Sequence, residues 1–266
     1  MTMQTTTDQM GQQLSFPTFP LRIVSLVPSQ TELLHYWGLG ERIVGITKFC
    51  VHPEEWYRNK SRVGGTKTVD LEKIAALKPD LIIGNKEENS KADIVQLQKN
   101  YPVWMSDLVT LSDVWDMFAR LGNILQVQPQ AQQLTQQLQA DFKQLNQLAK
   151  PISVAYFIWQ NPYMVAASGT FIDTLLQAAG FVNVFADQAR YPSCTAANIA
   201  ALQPDCIFLS SEPYPFREKH IADFQAICPQ ATIKIVDGEL FSWYGSRLLH
   251  TVDYLQTLQQ DLSLET

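Results

Sequence analysis

Four short stretches place aromatic rings beside amides, hydroxyls or a cation where the chain leaves a strand-like run. They are Phe49 to Pro53 with the turn Gly64-Gly65-Thr66-Lys67-Thr68, then Trp159-Gln160-Asn161-Pro162-Tyr163, Tyr191-Pro192-Ser193, and Phe241-Ser242-Trp243-Tyr244-Gly245-Ser246-Arg247. Flat faces with a few orienting polar groups suit a large planar or apolar ligand. The residues expected to line such a site are Phe49, His52, Thr66, Lys67, Trp159, Asn161, Tyr163, Tyr191, Trp243, Tyr244 and Arg247. Bond-making chemistry is not signalled. The chain has no G-x-S-x-G, H-E-x-x-H, P-loop or dinucleotide fingerprint. Its histidines (His35, His52, His220, His250) are scattered, and metal ligands come in sets, so His52 is read as a pocket residue and no metal is expected.

These stretches need a scaffold, and a repeat supplies it. Residues 74–82 read I-A-A-L-K-P-D-L-I and residues 199–207 read I-A-A-L-Q-P-D-C-I. Each copy reads as a helix end, an exposed Pro-Asp turn and a buried strand. The repeat extends upstream. Arg22 to Val27 reads as a strand, Ser29 as a helix cap, Thr31 to Trp37 as a helix and Gly38 as its stop. Ser153 to Ile158, Phe171 to Leu176 and Gly180 follow the same plan, and the first copy carries extra residues between about Thr47 and Val69. Between the copies, Leu134, Leu138, Phe142, Leu145 and Leu148 form one apolar stripe, with Pro129 in the first turn and Pro151 beyond the end. The spacing predicts a single connecting helix of about 30 Å. The expected organisation is an α/β chain with an N-terminal extension over 1–20, a lobe over 21–126, the helix over 127–150 and a second lobe over 151–266, with a ligand cleft between the lobes.

Composition narrows the partners. With 46% hydrophobic residues the chain can bury proper cores, and a net charge of −6 without a basic run argues against nucleic acid. No run approaches the roughly 18 apolar residues of a membrane span. The first ten residues lack a basic and an apolar region, so a cytoplasmic protein is the literal expectation, or a periplasmic or surface-anchored one if the true start lies upstream. Cys50, Cys194, Cys206 and Cys228 show no C-x-x-C spacing, and Cys206 reads as a small hydrophobe inside a strand.

Several motifs resemble one known group. Asp8-Gln-Met-Gly11, Arg22-Ile-Val-Ser-Leu-Val-Pro-Ser-Gln-Thr-Glu32, Gly38-Leu-Gly40, Arg62-Val-Gly-Gly-Thr66, Asp70-Leu-Glu72 and Leu77-Lys-Pro-Asp80 are similar to those of the substrate-binding proteins of ABC importers for cobalamin and ferric siderophores, most closely the cobalamin branch. The resemblance covers about residues 7 to 262. It implies the class III periplasmic-binding-protein fold, two Rossmann-like lobes on one backbone helix. It also implies aromatic residues of both lobes against the ligand and one docking carboxylate per lobe for a membrane permease. Tyr191 matches one of the aromatics, whereas Thr66 stands near a tryptophan position and cannot stack. Glu72 matches the first docking carboxylate, and Ala197 stands at the second.

The resulting expectation is a monomeric, non-catalytic protein that holds a corrinoid such as cobalamin for ABC-type import or intracellular carriage, with no cofactor required. A ferric siderophore or haem is the alternative ligand. An enzyme of corrinoid or metal-chelate processing is the alternative from another class, and it lacks an acid–base or nucleophile set.

Overall fold

The computed structural model describes residues 3–145, 148 and 150–265. The chain forms two compact units. The first comprises the residues up to Leu108, Ser112–Gln137 and Tyr244–Arg247; the second comprises Val109–Leu111, Leu138–Trp243 and the chain from Leu248.

In the first unit a hairpin, β1 (Met3–Thr7) and β2 (Gln13–Pro17), precedes a five-stranded parallel sheet. Its strands are β3 (Ile23–Ser25), β4 (Ile43–Ile46), β5 (Ser61–Arg62), β6 (Leu81–Asn85) and β7 (Val103–Ser106), in the order β5-β4-β3-β6-β7. The helices are α1 (Pro28–Tyr36), α2 (Glu54–Asn59), α3 (Leu71–Leu77), α4 (Lys91–Gln98) and α5 (Leu111–Leu125). Helix α6 (Gln128–Lys143) carries the chain into the second unit. There the strands are β8 (Ile152–Trp159), β9 (Tyr163–Val165), β10 (Phe181–Asn183), β11 (Ser193–Cys194), β12 (Cys206–Ser210) and β13 (Thr232–Val236). They run β11-β9-β8-β12-β13, with β10 also on β8; β9 and β11 are antiparallel to their neighbours and the remainder parallel. Helices α7 (Phe171–Ala178), α8 (Ala196–Leu202), α9 (Ile221–Ile227), α10 (Gly238–Ser242) and α11 (Leu248–Glu265) complete it.

The parallel frame is the same in both units. The first strand (β3, β8) is central, the second (β4, β10) lies on one side, with β5 beyond β4 in the first unit, and the last two parallel strands (β6 and β7, β12 and β13) lie on the other. Each sheet therefore reverses direction once, at β3/β6 and at β8/β12, and in open parallel sheets such switch points are where ligands are received. Cores of Val24, Leu26, Ile74 and Ile82 in the first unit and Ala155, Phe157, Ile199 and Ile207 in the second hold helix to sheet.

The repeated motif has a physical task. Asp70 and Thr195 cap α3 and α8, accepting from the Lys73 and Asn198 amides, and Lys78 and Gln203 end those helices in the left-handed conformation (φ 48° and 43°). The aspartate after the proline then reaches sideways. The Asp80 carboxylate accepts the Leu21 and Arg22 N–H groups at 2.8 and 2.9 Å. Asp205 Oδ2 accepts the Ser153 N–H at 2.7 Å and its hydroxyl at 2.6 Å. This aspartate ties the start of β6 to that of β3, and the start of β12 to that of β8, in agreement with the pairings Ile23 with Leu81 and Val154 with Cys206.

Two local expectations differ from the structure. Ser29 is not the cap of α1: Pro28 opens the helix, because its ring presets φ and its missing N–H costs nothing there, and Val27 is the cap residue. The connecting helix is shorter than 127–150. It ends at Lys143, where Gln144 and Leu145 donate to Asp141 and Phe142, three residues back, and tighten the last turn. Asn146, Gln147 and Ala149 of that expected helix lie outside the described residues. Gly38 and Gly180 do stop α1 and α7, at φ 75° and 72°.

Asp205→Ala removes the acceptor of the solvent-exposed Ser153 amide and hydroxyl and is expected to destabilise the second unit by about 0.5–1.5 kcal/mol. Hydrogen exchange checks it: faster exchange in β8 and β12 with unchanged protection in β3 and β6 is the expected pattern.

Candidate functional site

The carboxyl ends of the first unit's strands converge on a hydrogen-bonded set of buried side chains. Ser106 Oγ, at the end of β7, accepts from Gln30 at 2.7 Å and from Asn85 at 2.9 Å. Ser25 and Thr31 hydroxyls lie 2.7 Å apart, and Thr31 and Thr47 both reach Cys50 Sγ, at 3.1 and 3.2 Å. Asn89 ties three segments together. It accepts the Asn85 N–H at 2.8 Å and donates to the carbonyls of Leu26 at 3.3 Å and Thr66 at 3.1 Å. The turn carrying Thr66 and Lys67 is thus pinned to the β3/β6 switch point. Burial pushes the Glu88 carboxyl up and the charge of Lys67 pulls it down. Phe49, half exposed, lies over Gly65: a Cβ there would meet its ring at 3.2 Å, so glycine is what admits the ring.

In the second unit the switch point is built from aromatic and acidic groups. Trp159, 40% exposed at the end of β8, stands edge-on to Tyr214, with ring centroids 5.5 Å apart. The Tyr214 hydroxyl donates to Gln160 Oε1 at 3.1 Å and lies 3.4 Å from His220 Nε2. Beside them, Glu212 Oε1 accepts from Trp243 Nε1 at 2.9 Å and from the Ser242 hydroxyl at 3.0 Å. The backbone under Glu212 is fixed as well. Ser210 donates to the Glu212 carbonyl at 2.5 Å and accepts from Tyr156, whose phenol burial raises well above its ordinary pKa.

Residues 23–226 match the model of the periplasmic binding protein family. The chain belongs to that family. It is 30% identical over 195 residues to a vitamin B12-binding protein of Vibrio cholerae, an alignment covering 71% of this chain and 70% of that one. It is 29% identical over 211 residues to an uncharacterized ABC transporter substrate-binding lipoprotein, YvrC, of Bacillus subtilis, covering 75% of this chain and 67% of the relative. The fold is shared with the periplasmic heme-binding protein RhuT of Roseiflexus sp. RS-1, with TM-score 0.78 and 21% identity over 91% of this chain and 97% of that one.

Within this periplasmic binding protein the sequence-selected residues are distributed unevenly. Phe49, Thr66 and Lys67 lie together at the first unit's strand ends, with the Lys67 ammonium donating to the Glu87 carbonyl and Thr66 largely buried. His52 is half-buried, and among the described residues no group of three or more His, Cys, Asp or Glu is placed to hold a metal ion. Trp159 and exposed Asn161 stand at the second unit's switch point. Tyr163 does not join them. Residues 159–163 turn a hairpin, so Tyr163 begins β9 and its ring packs on Phe157 and Phe224, 6.0 and 5.3 Å away. Tyr191 is half-buried with the Arg190 guanidinium 5.6 Å over its ring. Trp243 belongs to the second unit, whereas Tyr244 and Arg247 belong to the first. Arg247 is engaged there in a two-pronged contact with Glu32, at 2.8 and 3.0 Å. Glu72 is exposed in the first turn of α3, and Ala197 occupies the first turn of α8.

Asn89, Glu212 and Tyr214 escaped sequence reading. A usable signal existed, because the offset between the two I-A-A-L copies carries Glu87 onto Glu212 and Asn89 onto Tyr214. An open groove of about 330 Å³ near Gln12, Gln98 and Tyr101 lies elsewhere, beside the hairpin and the start of β7, away from the strand ends.

Two outcomes follow. Asn89→Ala removes the acceptor of the Asn85 amide and is expected to cost about 1–3 kcal/mol, read as faster exchange at Asn85 and loosening of residues 64–68. The four cysteines are free, and burial raises the Cys194 thiol to about 11. At pH 8 only about one molecule in a thousand carries that thiolate, so iodoacetamide should modify native Cys194 roughly a hundredfold more slowly than free cysteine. Mass spectrometry of timed samples checks it.

Proposed function

We propose that this chain is a non-catalytic substrate-binding protein whose ligand is a corrinoid, handed to an ABC-type permease. The observation that carries the ligand assignment is the makeup of the second unit's switch point. Trp159 offers an exposed ring face beside the Gln160 amide and the Tyr214 phenol, and the Glu212 carboxylate lies two residues before Tyr214. A corrin is a broad apolar plate with a rim of neutral amide arms, each a donor that such acceptors can receive. Haem carries propionates and many ferric chelates are anionic, and a carboxylate at the site disfavours both. The Vibrio cholerae relative, named for vitamin B12 binding, supports the same reading.

Import is supported by the substrate-binding name of the Bacillus subtilis relative. In this reading the ligand is collected on the outer side of a membrane, where the family operates. No helix among the described residues is long and apolar enough to cross that membrane. Glu72 would be the charged permease contact on the first unit, and Ala197 would leave the second unit's contact uncharged.

Titration calorimetry with cyanocobalamin, dicyanocobinamide, haemin and a ferric catecholate tests the ligand. Corrinoids are expected to bind at least tenfold more tightly than the others, and no heat with either corrinoid would sink the reading. Trp159→Ala and Trp243→Ala should each weaken cyanocobalamin binding by more than tenfold, about 1.4 kcal/mol. Recovery of the corrinoid unchanged after long incubation separates a carrier from an enzyme.

A further inference from the structure

We propose that Glu212 is a positioning residue for the ligand site, holding the Trp243 indole in one orientation through its Nε1–H. The inference rests on the reading that Trp243 meets the ligand, and it adds what makes that ring ready to do so.

An indole has a single donor, so one hydrogen bond fixes the rotation of the ring about its own bonds when the acceptor is rigid. Glu212 is held at several points. Its Oε1 receives both Trp243 Nε1 and the Ser242 hydroxyl, and its carbonyl receives Ser210, which is braced by Tyr156 from β8. The neighbouring helix start is shaped around the carboxylate stem. A Cβ on Gly238 would lie 2.5 Å from both Glu212 Cγ and Ser210 Oγ, so only glycine lets α10 close over this residue. The Gly238 N–H donates to Ser211 Oγ at 2.9 Å, and Asp237 caps the same helix through the Glu239 and Leu240 amides. Trp243 directly follows that helix, and its own N–H closes onto the Glu239 carbonyl at 2.9 Å. Backbone and side chain of Trp243 are therefore both referenced to the end of β12, the element that also carries Tyr214 past the switch point. A ring fixed before the ligand arrives loses no rotamer freedom on binding, and preorganisation of that kind raises affinity without adding a contact.

The alternative is that Glu212 only stabilises the loop. The two roles differ in what the indole reports. In a 1H–15N spectrum the Trp243 indole resonance, assigned by its loss in Trp243→Phe, is expected to move upfield in ligand-free Glu212→Ala. In Glu212→Gln, which keeps an acceptor oxygen, it should stay near its original place. Cyanocobalamin affinity should fall at least tenfold in Glu212→Ala and return to within threefold of the original in Glu212→Gln. An unmoved indole resonance in Glu212→Ala overturns the proposal, as does unchanged affinity in that variant when Trp243→Phe binds tenfold more weakly. If the unsubstituted protein does not bind cyanocobalamin, the corrinoid reading falls alone, and the indole resonance still decides whether Glu212 orients the ring.

Discussion

A parallel sheet has no hairpin to set its register. Its strands meet only after a crossover, and something at the crossover's end must decide where pairing begins. In both units one aspartate carboxylate makes that decision. Asp80 receives the two amides that lead into β3, and Asp205 receives the amide and hydroxyl of Ser153 at the start of β8. Both faces of β3 and of the middle of β8 are buried, so a one-residue slip would move Val24 and Ala155 to the opposite face of the sheet and break their packing. The hydrophobic pattern opposes such a slip, and the carboxylate adds a local penalty by leaving backbone donors unpaired.

Register at the amino ends dictates geometry at the carboxyl ends. With β3 and β6 locked at their starts, Leu26 and Asn85 emerge at matching heights, and Asn89 can bridge them and reach the Thr66 carbonyl. With β8 and β12 locked, Trp159 and Tyr214 emerge as neighbours. The strand-end residues are thus positioned first by the register set at the far end of the sheet and then by their own side-chain hydrogen bonds.

This division explains what could be read from the sequence. The α/β class, the duplicated frame and both glycine stops were legible, because period, identity and conformational need all leave marks in single residues or short runs. The start of α1 was misjudged because two valid signals competed, Ser29 as a cap and Pro28 as a first helical residue, and the proline's fixed φ prevailed. The connecting helix was overextended because an apolar stripe continues through Leu145 while the hydrogen bonding has already tightened. The turn from β8 into β9 looks, in sequence, like an aromatic loop, whereas in the structure Tyr163 begins β9 and packs its ring on Phe157 and Phe224. Asn89, Glu212 and Tyr214 were invisible by type alone, since polar loop residues follow no period; only their place relative to the repeat distinguishes them.

The same comparison shows where the two copies have diverged. Seven of nine positions match across the I-A-A-L motifs, and both aspartates keep their function. Four residues further on, the copies part: Lys86-Glu87-Glu88-Asn89 in one, Ser211-Glu212-Pro213-Tyr214 in the other. Loss of either aspartate removes the side-chain acceptor that fixes the entry to the first strand, so change there loosens the frame. At the strand ends one unit has an amide that binds backbone, while the other has a ring and a carboxylate that binds an indole. The two units share a scaffold requirement and differ in what they present. The first unit carries a pinned polar turn at its strand ends, and the second an indole hydrogen-bonded to a carboxylate.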